Sequence, residues 1–409
     1  LMIQYTFSGM AKPEPYSPIL LAAVGFTVFA VLTALSMLGP LLVNMAVEWD
    51  TSVPVVAQLV TAAAVAWAVT AILVGPFSDA FGRRPIILIG VSLVGLGSIG
   101  TALAPNLPSA AFFRVLTGIG GGMVPPTCIA LLGDVLPENK RSVGVAIVTT
   151  QPGLSSLLGV PFVTLLGAYT SWRTAFFFTG ATLVGACVLL ARCVPPDMQE
   201  KKPLQWHFRF RKVARFPVTW IIASANLCVR TAYGLVITFF PAFLQLTYGL
   251  TTQELALPVA VVAFGTTCGM LLGGQMGKYK SRLVFATVGI FVASLPGMGA
   301  FLVRDSLWTT VLITSAFTVL CMPVATLLYV VGSDVGGSSR GTLTGILSGS
   351  GYGSYALGAV IGGLGVSNFG YTALSTTLLG ASLACAFLLL YLVQSNSEER
   401  ARAHFAAAD

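Results

Sequence analysis

GPFSDAFGRRP, Gly75 to Pro85, packs two glycines, one acid and two arginines into a short turn between long apolar stretches. The runs on either side, 53–76 and 85–104, are each about as long as the ~20 residues needed to cross a hydrocarbon core. Gly75 can let two helices meet closely, and Gly82 can make the tight turn between them. Asp79 falls where the first run ends, placed to accept hydrogen bonds from a cation or a helix N-terminus.

The same alternation of apolar run and short polar turn continues in both directions. Further runs lie at 18–45, 108–133, 142–167, 174–193, 217–247, 252–276, 284–303, 307–331, 341–365 and 371–394, which makes twelve. Composition agrees with an all-α membrane protein. Charged residues are 9% of the 409 and hydrophobic ones 56%, with a mean hydropathy of +0.87. A soluble fold has roughly 25% charged residues to cover its surface, whereas a surface facing lipid needs none.

Orientation follows from the basic residues, which concentrate on the cytoplasmic side of membrane proteins. With cytoplasmic termini, the inner segments hold 18 of the 22 lysines and arginines, and the outer loops hold only Arg173 and Arg304. Arg114 and Arg230 lie inside runs. The net charge of +8 is therefore a topological bias, and no nucleic-acid partner is expected. The longest polar stretch, 194–216, divides a first six-span unit (1–193) from a second (217–409). Its aromatic and basic residues, Trp206, Phe208, Phe210, Arg209, Arg211, Lys212 and Arg215, fit a helix lying on anionic lipid or a solvated linker.

The halves read as a repeat. An offset of 199–200 residues aligns Gly75 with Gly274, Arg83 with Arg282, Asp134 with Asp334, Arg141 with Arg340, and Gly153 with Gly353. Repeated halves around a central site are a common build of secondary transporters.

The Gly75–Arg84 turn resembles the hallmark loop of the major facilitator superfamily, G-x-x-x-D-x-x-G-R-[RK], through Gly75, Asp79, Gly82, Arg83 and Arg84. That resemblance implies two pseudo-symmetric six-helix bundles and alternating access. The loop would act as an inner gate, together with Asp134, Arg141, Asp334 and Arg340. The second copy, GGQMGKYKSR, carries Gly277 or Lys278 where the acid would fall. FFRVLTGIGGG (112–122) is similar to the R-x-x-x-G pattern of the drug:proton antiporter branch through Arg114 and Gly118. Span 5, PGLSSLLGVPF, with Trp172, Arg173 and Phe176 after it, resembles the antiporter signature, although Gly159 and Pro161 are not adjacent. Its Gly/Pro run implies a bend and close packing against span 8.

Two functions stand side by side. One is a proton-coupled exporter of drugs or metabolites by alternating access. The alternative is an organic-anion carrier using Arg114 and Arg230, since no Asp or Glu lies deep in any span. A receptor or channel is the reading that the gate loop opposes. The expected cavity lies between spans 1, 4, 7 and 10, with Phe29, Thr33, Met37, Arg114, Arg230, Tyr233, Met322 and Tyr329 as its lining. Expected partners are a small-molecule substrate, protons and membrane lipids, with the protein a monomer in a bacterial inner (plasma) membrane. The sequence holds no Walker loop, H-E-x-x-H or Cys/His cluster. No cofactor, metal or enzymatic activity is expected, and the seven cysteines read as core thiols. No cleavable signal peptide is legible at the N-terminus, where Met10 is a second possible start.

Overall fold

A computed structural model describes residues 18–137, 140–194, 217–335 and 340–395. All twelve apolar runs are helical. Span 1 is a broken pair, Pro18–Ser36 and Leu38–Glu48. Spans 2, 3 and 4 are Val53–Phe81, Arg83–Leu103 and Leu107–Val135. Span 5 runs from Arg141 to Tyr169 through a π-helical turn at Ser155–Gly159. Span 6 is Trp172–Cys193 and span 7 is Pro217–Tyr248. Spans 8 to 12 are Ala256–Met276, Arg282–Gly299, Leu307–Val335, Arg340–Phe369 and Thr372–Gln394.

Eleven of the described helices are long and apolar enough to cross a membrane. Span 11, at 30 residues, has the length but is diluted by glycine and serine. Several helices overrun the apolar runs that announced them. Span 2, at 29 residues, is about 44 Å long at 1.5 Å per residue, against a core of about 30 Å. The helix continues past the lipid because it satisfies its own backbone groups, and it carries Asp79 out to the inner surface. The proposed linker, apart from Val194, lies outside the described residues.

The irregularities have local causes. Pro40 has no N–H for the carbonyl of Ser36, and its ring crowds that turn, so span 1 breaks at Met37. In span 5, Pro152 precedes the π turn and Pro161 follows it. The expected approach to span 8 is present: a Cβ on Gly153 would stand 3.2 Å from the hydroxyl of Thr267.

Within each half the pairing repeats. Spans 2, 3 and 4 pack on one another, span 3 on 6, and span 1 on 6. In the second half, span 10 packs on 8 and 9, span 9 on 12, and span 7 on 12. Between halves, span 2 packs along span 11 and span 5 meets span 8. The repeat extends to single residues. Gly153 faces Thr267, while its aligned partner Gly353 faces Ala68, the residue one offset before Thr267.

The halves are closed on the outer side. Asn44 accepts from Thr252 at 3.0 Å, and Gln58 donates to the carbonyl of Ala359 at 3.3 Å. Gly39 lies directly on the carbonyl of Ile237. On the inner side, Gly75 of span 2 and Gly345 of span 11 have open space where a Cβ would stand. The described halves thus meet at the ends that hold Asn44 and Gln58 and leave open space at the ends that hold Gly75 and Gly345.

The glycine run of span 4 is a packing face. A Cβ on Gly118 would run into the carbonyl of Ala63, and one on Gly121 would enter the ring of Trp67. Gly118→Leu is therefore expected to lower the unfolding temperature of the purified protein by several degrees, since overpacking costs about 1–3 kcal/mol. Thermal unfolding in detergent, followed by tryptophan fluorescence, checks it.

Candidate functional site

At the inner surface, Arg83 bridges the end of span 2 to the end of span 4. It contacts Asp79 at 2.5 Å and Asp134 at 3.2 Å, and it donates to the hydroxyl of Ser78. Arg84 donates to the carbonyl of Ala191 at 2.6 Å, tying the turn to span 6. Gly82 sits at φ 102°, in the region that favours glycine, so the turn requires it. A Cβ on Gly75 would meet nothing within 4 Å in this arrangement, so the close meeting expected of it is not made on that side.

The second half repeats the arrangement. Arg282 pairs with Asp334 at 2.7 Å, the residues aligned by sequence with Arg83 and Asp134. Where the first half offers the Asp79 carboxylate, Arg282 donates to the backbone carbonyl of Gly277 at 3.3 Å. The degraded copy thus replaces a charged acceptor with a neutral one. The side chains of Arg141 and Arg340 lie outside the described residues.

Arg114 is fully buried inside the first six spans. It donates to the carbonyls of Ala34 at 3.0 Å and Leu35 at 3.4 Å, next to the break in span 1. Its guanidinium lies 5.9 Å from the ring centroid of Phe176. The neighbouring signature residues continue this clasp. Arg173 binds Glu48 at 2.7 Å and the carbonyls of Ala102 and Ala104, and the Trp172 indole N–H also donates to Glu48. Arg114 and the Trp172–Phe176 pattern thus join spans 1, 3, 4 and 6 of one half.

Arg230 has a different environment. It is half-buried in span 7, and its guanidinium lies 5.4 Å from the ring of Tyr329 in span 10. Its Nε is enclosed and has no hydrogen-bond partner. Gly351 of span 11 gives it room: a Cβ there would stand 3.1 Å from Arg230 Cδ and from the Tyr329 hydroxyl. The Tyr329 hydroxyl donates to the carbonyl of Leu347 at 3.0 Å, as does Asn226 Nδ2 at 2.9 Å. One carbonyl thereby holds spans 7 and 10 to span 11. Tyr355 meets Tyr233 edge-on at 6.2 Å and lies 6.3 Å from Tyr352. Tyr352 stacks on Trp67 of span 2 at 4.3 Å.

Of the other expected lining residues, Thr33 and Met37 are buried in packing. Thr33 bonds Ser155 at 3.1 Å, and Thr179 donates to the Met37 sulfur. Met322 is also fully buried. Phe29 lines a groove of about 410 Å³ between spans 1 and 5 with Gly25, Gln151 and Leu158. Tyr233 lines a small cavity of about 30 Å³ between the halves, beside Ser156 and Thr266. Sequence reasoning passed over Trp67, Tyr352, Tyr355 and Asn226. A signal existed in the second half, where GSGYGSY (349–355) sets two tyrosines three apart, on one helix face.

Two outcomes separate the two arginines and the gate. Arg114→Ala leaves two carbonyls without a donor and removes a buried packing contact. It should lower the unfolding temperature strongly, by about 1–3 kcal/mol in stability, while the KM of whatever protein still folds stays within about twofold. Asp79→Asn removes one of the two carboxylates that hold Arg83 in this arrangement and should shift the population away from it. Cysteine labelling from each face reads that shift, and unchanged labelling on both faces would remove the latch role.

The comparisons agree with this architecture. A model of the Major Facilitator Superfamily matches residues 24–354. The uncharacterized MFS-type transporter YceJ of Bacillus subtilis (strain 168) is 24% identical over 344 residues, covering 82% of this chain and 86% of that one. SauU of Cupriavidus necator, described as a probable sulfoacetate transporter, is 23% identical over 314 residues, covering 69% and 71%. Among solved structures, an inward-facing, unoccupied bacterial homolog of the human lysosomal transporter Spinster superposes with a TM-score of 0.70. It is 18% identical, with 97% of this chain and 99% of that one covered. From its gate loop, its duplicated halves and a match across most of its length, the chain belongs to the Major Facilitator Superfamily.

Proposed function

We propose that this transporter carries small organic anions, and that Arg230 is the group that receives the negative charge. The observation behind this is the solitary state of Arg230. It lies near the middle of a 32-residue helix, half-buried, with an enclosed Nε that bonds nothing. Among the described residues no Asp or Glu lies in the middle of a span to neutralise it. An unpaired arginine at that depth costs at least ~2.5–3.5 kcal/mol on insertion scales. A bound anion removes that cost, and transport is a use that repays keeping such a residue. The sulfoacetate named for SauU is an organic anion of the class proposed.

The drug-exporter reading rests on the patterns around Arg114 and Trp172. Those side chains are engaged in holding one half together, which weakens them as marks of drug recognition. A proton cycle would also lack a carboxylate in the middle of the described spans. The carrier proposed here runs on the gradient of its substrate, as a monomer, with cytoplasmic termini in a bacterial inner membrane. The gate residues Asp79, Arg83, Asp134, Arg282 and Asp334 brace the inner ends of each half. They regroup as the halves rock from inward-open to outward-open.

The assay is uptake of labelled organic acids into proteoliposomes, with or without an imposed pH gradient. Arg230→Ala should reduce uptake roughly ten- to hundredfold, the range for losing a hydrogen bond to a charged group, with the unfolding temperature near that of the wild type. Arg230→Lys should keep a fraction, because it retains the charge without the planar fork. Full uptake by the alanine variant would sink the anion reading. Uptake that appears only with a pH gradient would restore proton coupling.

A further inference from the structure

The surroundings of Arg230 narrow the kind of anion. Tyr329 from span 10 and Tyr352 and Tyr355 from span 11 all remain half-buried beside this one cation. Tyr329 occupies one face of the guanidinium. An arginine with a face covered presents its N–H edge, which suits a planar carboxylate-type group. The tyrosines are held firmly. Trp67, fully buried, stacks on Tyr352 at 4.3 Å with the planes 29° apart, and it is wedged from behind against Gly121 of span 4. Tyr355 is braced edge-on by Tyr233. Packing alone would be served by leucine or phenylalanine. A fixed set of half-open aromatic faces around a single charge is instead suited to stacking a second aromatic ring.

The charge count points the same way. Arg114 is enclosed and bonded to carbonyls. Each arginine keeps an enclosed Nε without a partner, but among the described residues Arg230 is the mid-span cation whose terminal nitrogens are not spent on backbone carbonyls as those of Arg114 are. One accessible cation matches one negative charge.

We infer that the ligand of the Arg230 site is an aromatic monoanion, its charged group on the N–H edge of Arg230 and its ring against Tyr352 and Tyr355. This rests on the anion-carrier reading above and adds the aromatic requirement. It also sets this chain apart from a carrier of a doubly charged aliphatic acid. Trp67 belongs to the first half and Tyr352 to the second, so the ring would lie beside a stack that joins the two moving bodies.

Benzoate and cyclohexanecarboxylate have the same carbon skeleton and charge at neutral pH and differ in aromaticity. Binding of each to the full-length protein in detergent is measured by titration calorimetry. The wild type should bind benzoate roughly three- to tenfold more tightly, the range for an aromatic pair. The double variant Tyr352→Leu, Tyr355→Leu should bring the two affinities together, while Tyr352→Phe, Tyr355→Phe should keep the preference. The unfolding temperature of each ligand-free variant checks that it is folded. Should the leucine variant fail to fold, loss of the preference in Tyr355→Leu alone serves as the support. Equal binding of the two acids by the wild type, no binding of benzoate, or a preference that survives in the leucine variants overturns the inference. Arg230→Gln separates the two levels. If it weakens both acids equally while the wild type shows no preference, the anion reading stands and the aromatic one falls. If it leaves both bound as before, both fall.

Discussion

Lipid offers no water to hydrogen-bond a charge or a free carbonyl, so each must find a partner within the protein. This chain answers that demand in two opposite ways. Where Pro40 breaks span 1, Arg114 donates to the carbonyls of Ala34 and Leu35 just ahead of the break, and a disturbed helix and a buried cation satisfy each other. In span 7, Arg230 is set against a tyrosine ring and given no such partner. One arginine completes the fold, and the other is the cation to which the proposed anion would bind.

Duplication converts that chemistry into a mechanism. The ion pairs Arg83–Asp134 and Arg282–Asp334 each brace the helix ends of one half. Contacts between the halves are of another kind. They include glycine against small side chains, at Gly153 with Thr267 and at Gly353 with Ala68, single hydrogen bonds from Thr252 to Asn44 and from Gln58 to the carbonyl of Ala359, and the stack of Trp67 on Tyr352. None of these contacts between the halves is an ion pair, whereas each half is clasped by one. The first half carries the Asp79 carboxylate where the second offers a carbonyl. The two clasps therefore differ in their acceptors, one charged and one neutral.

Some of this was legible in the residues and some was not. The twelve runs, the gate loop and the repeat all follow from spacing, because helix length, turn glycines and paired charges leave local marks. The offset aligned Arg83 with Arg282 and Asp134 with Asp334, but only the structure showed that they pair within each half, Arg83 with Asp134 and Arg282 with Asp334. The lining of the cavity was harder. Thr33, Met37 and Met322 occupy helices expected to face the centre, but each is buried against a neighbour. Which way a residue points around a membrane helix depends on the rotation of that helix. A helix that is apolar on every side carries no amphipathic signal to set it. Trp67, Tyr352 and Tyr355 were missed for the same reason.

By itself the sequence determined the membrane, the number of spans, the duplication and the charged inner turns, since each depends on residues close together or on composition. Only the tertiary structure decided the surroundings of the two arginines. Arg114 and Arg230 look alike in sequence, one buried cation per half. What separates them is whether a neighbouring helix presents free carbonyls or an aromatic face. That is a property of packing between distant segments, and it leaves no trace in local spacing.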